Sequence, residues 1–195
     1  SYAEEAPLPE GVEKGIDVSS YNGDVDYSKV ASQGYTFVMM RIGSGTYGQD
    51  SKFAANYSNA KEAGLKVGAY FYSYALTVEQ ASKEAADCIS MLEGRGFDFP
   101  IAYDMENEDS LNTGKENVTA MTKTFLDAIT SAGYQGMVYS YRNSLVDVFD
   151  YETLSNYPVW IANYDVSYPD YPNPYKMWQY TIGSVPGANT DGGQC

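Results

Sequence analysis

Strand-like runs alternate with helical stretches along most of this chain, and that βα alternation restricts it to a parallel sheet with helices packed outside. The runs cover residues 15–19, 37–42, 65–74, 100–107 and 136–141, and the helical stretches cover 27–33, 51–63, 78–93, 115–132 and, more weakly, 144–154. The last third changes character. Two further runs, 158–164 and 176–181, are joined by a Tyr/Pro-rich segment with no helical period. At 195 residues the chain is long enough for one domain with a substantial core, though short for a full eight-helix barrel. The expected fold is therefore α/β: a single irregular barrel of TIM type, with about five β/α units followed by helix-free strands. Residues 1–13, with Pro7, Pro9 and four acidic side chains, read as a linker or extended arm, leaving 14–195 as the barrel domain.

In such a barrel the functional groups sit at the C-terminal strand ends, and three acids fall there. The run Pro100-Ile101-Ala102-Tyr103-Asp104-Met105-Glu106-Asn107 alternates faces with period two. Ile101, Tyr103 and Met105 point one way; Ala102, Asp104 and Glu106 point the other. With a rise of about 3.3 Å per residue the two acidic Cα atoms stand about 6.6 Å apart, close enough for one charge to raise the other's pKa. A solvated acid pair at a strand end is the plainer alternative. In Gly15-Ile16-Asp17-Val18-Ser19, Asp17 is either a turn-capping residue or a third inward acid.

Composition narrows the chemistry further. The chain has no histidine, which excludes Ser-His-Asp and Cys-His catalysis and histidine metal sites, and its two cysteines cannot build a thiolate zinc cage. Carboxylate chemistry without cofactor or metal is what remains. A formal charge of -14 repels nucleic acid and anionic lipid, and no apolar run reaches the length of a membrane span, so neither nucleic-acid binding nor membrane insertion is expected. Tyrosine is in excess, 20 of 195 residues, suited both to half-buried packing and to stacking on sugar rings. The candidates for stacking are Tyr72, Tyr74, Tyr139, Trp160 and Trp178. Gly43-Ser44-Gly45-Thr46-Tyr47-Gly48 spells G-x-G-x-x-G, yet its glycines end before the next helix and no acid closes the following strand, so it reads as a mobile or turn-rich rim loop rather than a dinucleotide site. Cys88 shares a helix face with Ala81, Ala85, Ile89 and Leu92 and reads as a core thiol, with a bridge to Cys195 as the alternative.

These pieces together resemble the family 25 glycoside hydrolases, the Chalaropsis-type lysozymes. The resemblance rests on Gly15-Ile16-Asp17-Val18-Ser19, Arg41-Ile42-Gly43-Ser44-Gly45-Thr46, Ala63-Gly64-Leu65-Lys66-Val67-Gly68-Ala69-Tyr70, Ala102-Tyr103-Asp104-Met105-Glu106 and Met177-Trp178-Gln179-Tyr180, in that order. It implies a muramidase that hydrolyses the β-1,4 bond between N-acetylmuramic acid and N-acetylglucosamine in bacterial peptidoglycan. Glu106 then matches the general acid, with its pKa raised by Asp104. Asp104 matches the partner carboxylate that stabilises the transition state or orients the substrate N-acetyl group, and Asp17 the acid ending the first strand. A further family acid in a D-x-N context corresponds either to Asp191 or to a position beyond Cys195. The sequence has no wall-binding repeat, which reads as a catalytic domain separated from its anchor. A monomer acting outside the cell or at the wall is expected, secreted or released as a phage-type lysin. The rival readings are a non-catalytic wall-carbohydrate binder and a chitin hydrolase on the same barrel.

Overall fold

A computed structural model describes residues 9–188 and 191–195, for Asp191 and Gly192 the backbone alone. The expected arm lies, for residues 1–8, outside the described residues. Strand β1 (Gly15–Val18) is followed by α1 (Tyr27–Ser32), β2 (Phe37–Ser44), β3 (Gly48–Gln49), α2 (Phe53–Glu62), β4 (Lys66–Tyr72) and α3 (Val78–Leu92). Next come β5 (Ile101–Asp104), α4 (Glu108–Leu111), α5 (Lys115–Ser131), β6 (Gly136–Tyr141), α6 (Arg142–Asp147) and α7 (Tyr151–Leu154). The helix-free end holds β7 (Val159–Ala162), β8 (Met177–Gln179), β9 (Thr181–Ser184) and β10 (Asp191–Gln194). The spatial order is β8-β7-β6-β5-β4-β2-β1-β10-β9, parallel from β8 to β1 and antiparallel around β10. Tyr180 N–H donates to the Gln194 carbonyl at 2.9 Å, which ties the end of β8 to β10 and brings the sheet close to a full barrel.

Alternation along each strand feeds two separate cores. The outward residues Ile16, Val18, Val38, Met40, Phe71, Ile101, Tyr103 and Ile161 pack under the helices. The inward residues Phe37, Met39, Ala102, Met137, Trp160 and Met177 fill the barrel below the acids. Helices cover the outer layer through apolar stripes, such as Ala81, Ala85, Cys88 and Leu92 on α3. Thr77 caps that helix by accepting from Gln80 N–H at 3.1 Å. Cys88 and Cys195 are both buried free thiols, Cys88 in the outer core and Cys195 in the inner one.

Three segments differ from the sequence expectation. The stretch 144–154 forms two short helices: the first ends at Asp147, and Asp150 caps the start of the second by accepting from Glu152 N–H at 3.2 Å. The G-x-G-x-x-G segment is a hairpin, with β2 running on to Ser44 and pairing antiparallel with β3. Gly43 and Gly45 serve close approach, a Cβ at Gly45 standing 1.8 Å from Glu84 Oε2, while Gly48 supplies a positive φ of +74°. The third is β10, a strand where the sequence shows only a glycine-rich tail. It forms because β1 offers an open edge, with Asp17 paired to Gly193 and Ile16 to Gln194.

Candidate active site

Parallel register places Tyr72, Asp104 and Tyr139 side by side across β4, β5 and β6 and sets Tyr139 beside Trp160 on β7. The inward side chains of Asp104, Tyr139 and Trp160 line a cleft of about 350 Å³ at the C-terminal strand ends, together with Asp17 and Glu106; neither Tyr72 nor Tyr74 belongs to that lining. The three acids singled out in the sequence therefore share one cavity, by the face alternation that predicted it. The tail of β5 is held from both sides. Ser73 N–H donates to the Asp104 carbonyl at 2.9 Å, Met105 N–H to the Tyr139 carbonyl at 3.0 Å, and Ser140 Oγ–H to the Met105 carbonyl at 2.7 Å.

Asp104 is buried inside the barrel, whereas Glu106 is only half-buried at its mouth. Burial first, then the negative charge of Glu106 and a hydrogen bond with it, push the Asp104 carboxyl well above the ordinary carboxylate range. Burial deep in the barrel is the leading cause of this upward displacement of Asp104. Its Oδ1 is buried and has no hydrogen-bond partner among the described residues. A buried acceptor left open at the floor of a cleft is an anomaly in a folded protein, and a donor arriving from a ligand resolves it.

Asp17 lies across the cleft, and its pKa is pushed up to about 6, chiefly by burial. Gln179 Nε2 donates to its Oδ2 at 2.7 Å and the Cys195 thiol at 3.5 Å, while Gly193 contributes a backbone donor. The Gln179 amide cannot turn round. Its Oε1 accepts from Tyr139 at 2.5 Å and Tyr164 at 2.7 Å, which commits the nitrogen to Asp17. Tyr164 also bonds Tyr141, and Tyr141 bonds Glu106. A phenol and amide chain consequently runs from Glu106 through Tyr141, Tyr164 and Gln179 to Asp17. Burial is the main cause that raises the phenols along it, Tyr164 to about 12.

The aromatic candidates separate by strand face. Trp160 is the floor of the cleft, 2% exposed, with Tyr139 at 4.4 Å and Tyr70 at 6.0 Å between ring centroids. Tyr139 lines the cleft but is 5% exposed and serves mainly as packing and as a donor to Gln179. Tyr72 and Tyr74 stand 4.9 Å apart at the rim, both half-buried. Trp178 is not in the cleft. It occupies the opposite face of β8 from Gln179, packs against the outer core and donates its indole N–H to the Asn163 carbonyl at 2.7 Å. The Asp191 backbone pairs with Ser184, and its side chain lies outside the described residues. Tyr70, Tyr141, Tyr164 and Gln179 were not among the candidates; the period that selected Tyr139 also selects Tyr141, and the one that sends Trp178 outward sends Gln179 inward. No group of three or more His, Cys, Asp or Glu residues able to hold a metal ion occurs among the described residues.

The profile of glycosyl hydrolases family 25 matches residues 16–188. The autolytic lysozyme of Clostridium acetobutylicum is 33% identical over 175 residues, covering 89% of this chain and 52% of that protein. Lysozyme M1 of Streptomyces globisporus is 28% identical over 201 residues, covering 91% and 65%. The solved structure of the modular autolysin LytC from Streptococcus pneumoniae superposes with a TM-score of 0.85 at 26% identity, covering 96% of this chain and 47% of that one. This chain spans about half to two thirds of the length of its curated relatives. With a profile match that begins at β1 and runs through the barrel, the chain belongs to glycosyl hydrolase family 25.

Proposed function

We propose that residues 14–195 form a muramidase unit that cuts the β-1,4 bond between N-acetylmuramic acid and N-acetylglucosamine in peptidoglycan, working outside the cell or at the wall. The observation that carries this reading is the buried, unpartnered Oδ1 of Asp104 beside Glu106. An acetamido N–H on the sugar is a donor of the right kind to meet it, and both sugars of peptidoglycan carry one. Likeness to lysozymes supports the substrate class, and the LytC autolysin has also been solved in complex with a synthetic peptidoglycan ligand.

The proposed chemistry needs one proton and two carboxyls. Asp104, raised by burial and by the neighbouring charges of Glu106 and Asp17, holds the proton and shares it with Glu106 through their hydrogen bond. Glu106, at the open side of the pair, delivers it to the leaving glycosidic oxygen as general acid. Asp104 is left ionised beneath the sugar ring, where positive charge develops as the bond breaks, and it keeps the acetamido group oriented; a water molecule then adds its oxygen to the anomeric carbon and its proton returns to the acid pair, which restores the starting state. Asp17, held by Gln179, adds a further negative charge to the same field. The rim tyrosines Tyr72, Tyr74 and Tyr141 supply aromatic surface for the sugar rings, above the floor that Trp160 forms.

Mass spectrometry of digested and reduced peptidoglycan tests the reading. A new reducing end on N-acetylmuramic acid is expected, and one on N-acetylglucosamine would sink it. Glu106→Gln should lose about 10²-fold or more of the activity with an unchanged melting curve, since the amide keeps the shape without the acidic proton. Activity within about threefold of wild type would remove Glu106 from the role.

A further inference from the structure

A second buried carboxylate lies behind the catalytic strand, outside the cleft. Glu84 on α3 is 5% exposed and sits on the helix face otherwise formed by Ala81, Ala85, Cys88 and Leu92. Its Oε1 accepts from Tyr103 Oη at 2.6 Å and from Ser73 Oγ at 2.8 Å, and its Oε2 accepts from Tyr74 N–H at 2.9 Å. Tyr103 immediately precedes Asp104. Ser73 is the residue whose N–H holds the Asp104 carbonyl, and its hydroxyl also accepts from Ala75 N–H at 3.1 Å. From the third side the β2–β3 hairpin closes on the same carboxylate at Gly45, where a Cβ would stand 1.8 Å from Oε2. That hairpin carries Tyr47, whose ring meets Tyr74 edge-on at 5.6 Å.

A leucine at this position would pack the same helix stripe without removing a charge from water. The acid is therefore out of keeping with a purely packing role, and its bonds all lead to segments that end at the cleft. We propose that Glu84 is a positioning residue for the hydrolysis reaction: one carboxylate oxygen fixes the end of β5 that presents Asp104 and Glu106, and the other fixes the Tyr72–Tyr74 rim that receives the sugar. The inference rests on the proposed glycosidase reading of the cleft and assigns Glu84 no contact with substrate.

Because the two oxygens have different partners, two substitutions separate the two roles. Tyr103→Phe removes the β5 tie to Glu84 and the 2.8 Å contact of the same hydroxyl with Ser73 Oγ, leaves the Tyr74 N–H bond in place and keeps the ring stack on Phe125, 3.9 Å between centroids. Glu84→Leu packs the same helix stripe and removes both oxygens, so it releases the Tyr74 N–H and the rim as well as the β5 tie. Steady-state kinetics on soluble glycan fragments should show a fall in kcat of about tenfold with little change in KM for Tyr103→Phe, as expected when reacting groups lose their placement. Glu84→Leu should in addition raise KM by about threefold or more, beyond the loss in kcat that it shares with Tyr103→Phe. A role in stability alone would lower the melting temperature of both proteins and leave kcat and KM within about twofold of wild type; that result overturns the proposal. Wild-type turnover in the same assay is the check on the glycosidase reading itself. If the wild type proves inactive, carboxyl ¹³C titration of Asp104 and Glu106 decides, since a titration curve in Tyr103→Phe that overlays the wild type's overturns the positioning role and a displaced one upholds it.

Discussion

Replacing Asp17 by asparagine should make the protein more stable at neutral pH while impairing the site. The carboxyl of Asp17 is largely withdrawn from water, and its pKa stands at about 6 against an ordinary 3.8. A folded-state pKa above the unfolded one means that the native protein holds the proton more tightly. Stability from this group is then complete below about pH 3.8 and is lost progressively as pH rises through about 6. At about 1.36 kcal/mol for each tenfold change in proton affinity, the rise from 3.8 to about 6 is worth about 3 kcal/mol, so above pH 6 the ionised side chain lowers stability by up to that amount. Asparagine carries no such charge, and its amide oxygen can take the place of Oδ2, where Gln179 and Cys195 donate. For a domain of this size each kcal/mol moves Tm by about 2–4 °C, which predicts a gain of about 6–12 °C at pH 7.5 for Asp17→Asn. The gap should close as pH falls toward 4. The raised carboxyl of Asp104 is present in both proteins and largely cancels in the difference. Melting curves followed by circular dichroism from pH 4 to 8 provide the assay. A gap that stays constant with pH, or a less stable variant at pH 7.5, would refute the reasoning.

Gly193→Ala should cost both stability and activity, because the added Cβ would stand 1.7 Å from Asp17 Oδ2 and 2.2 Å from Gln179 Nε2; wild-type activity in this variant would show that Asp17 is not held as described. Tyr139→Ala and Tyr141→Ala should divide cleanly. Tyr139, 5% exposed, should lose about 3–5 kcal/mol in denaturant unfolding, as large aromatic truncations in a core do. Tyr141, 37% exposed at the cleft mouth, should lose about 1 kcal/mol or less while weakening binding of wall fragments. Equal stability losses would contradict the assignment of the first to packing and the second to the cleft.

Strand alternation and βα order are local properties, and they were legible in the chain. They set Ile101, Tyr103 and Met105 against the helices and Asp104 inside the barrel, and they brought Asp17 to the corresponding strand end. The absence of histidine likewise excluded Ser-His-Asp and Cys-His catalysis from the sequence alone. Other features depend on residues distant in sequence. Gly193 lies 176 positions from Asp17, yet β10 becomes a strand through pairing with β1, where glycine-rich sequence has little propensity of its own. Gln179 acquires a fixed orientation only when Tyr139 and Tyr164 converge on its oxygen. The upward shift of Asp104 also depended on tertiary structure: spacing makes Asp104 and Glu106 neighbours, but only the barrel buries Asp104, and depth from water is what raises a carboxyl's pKa.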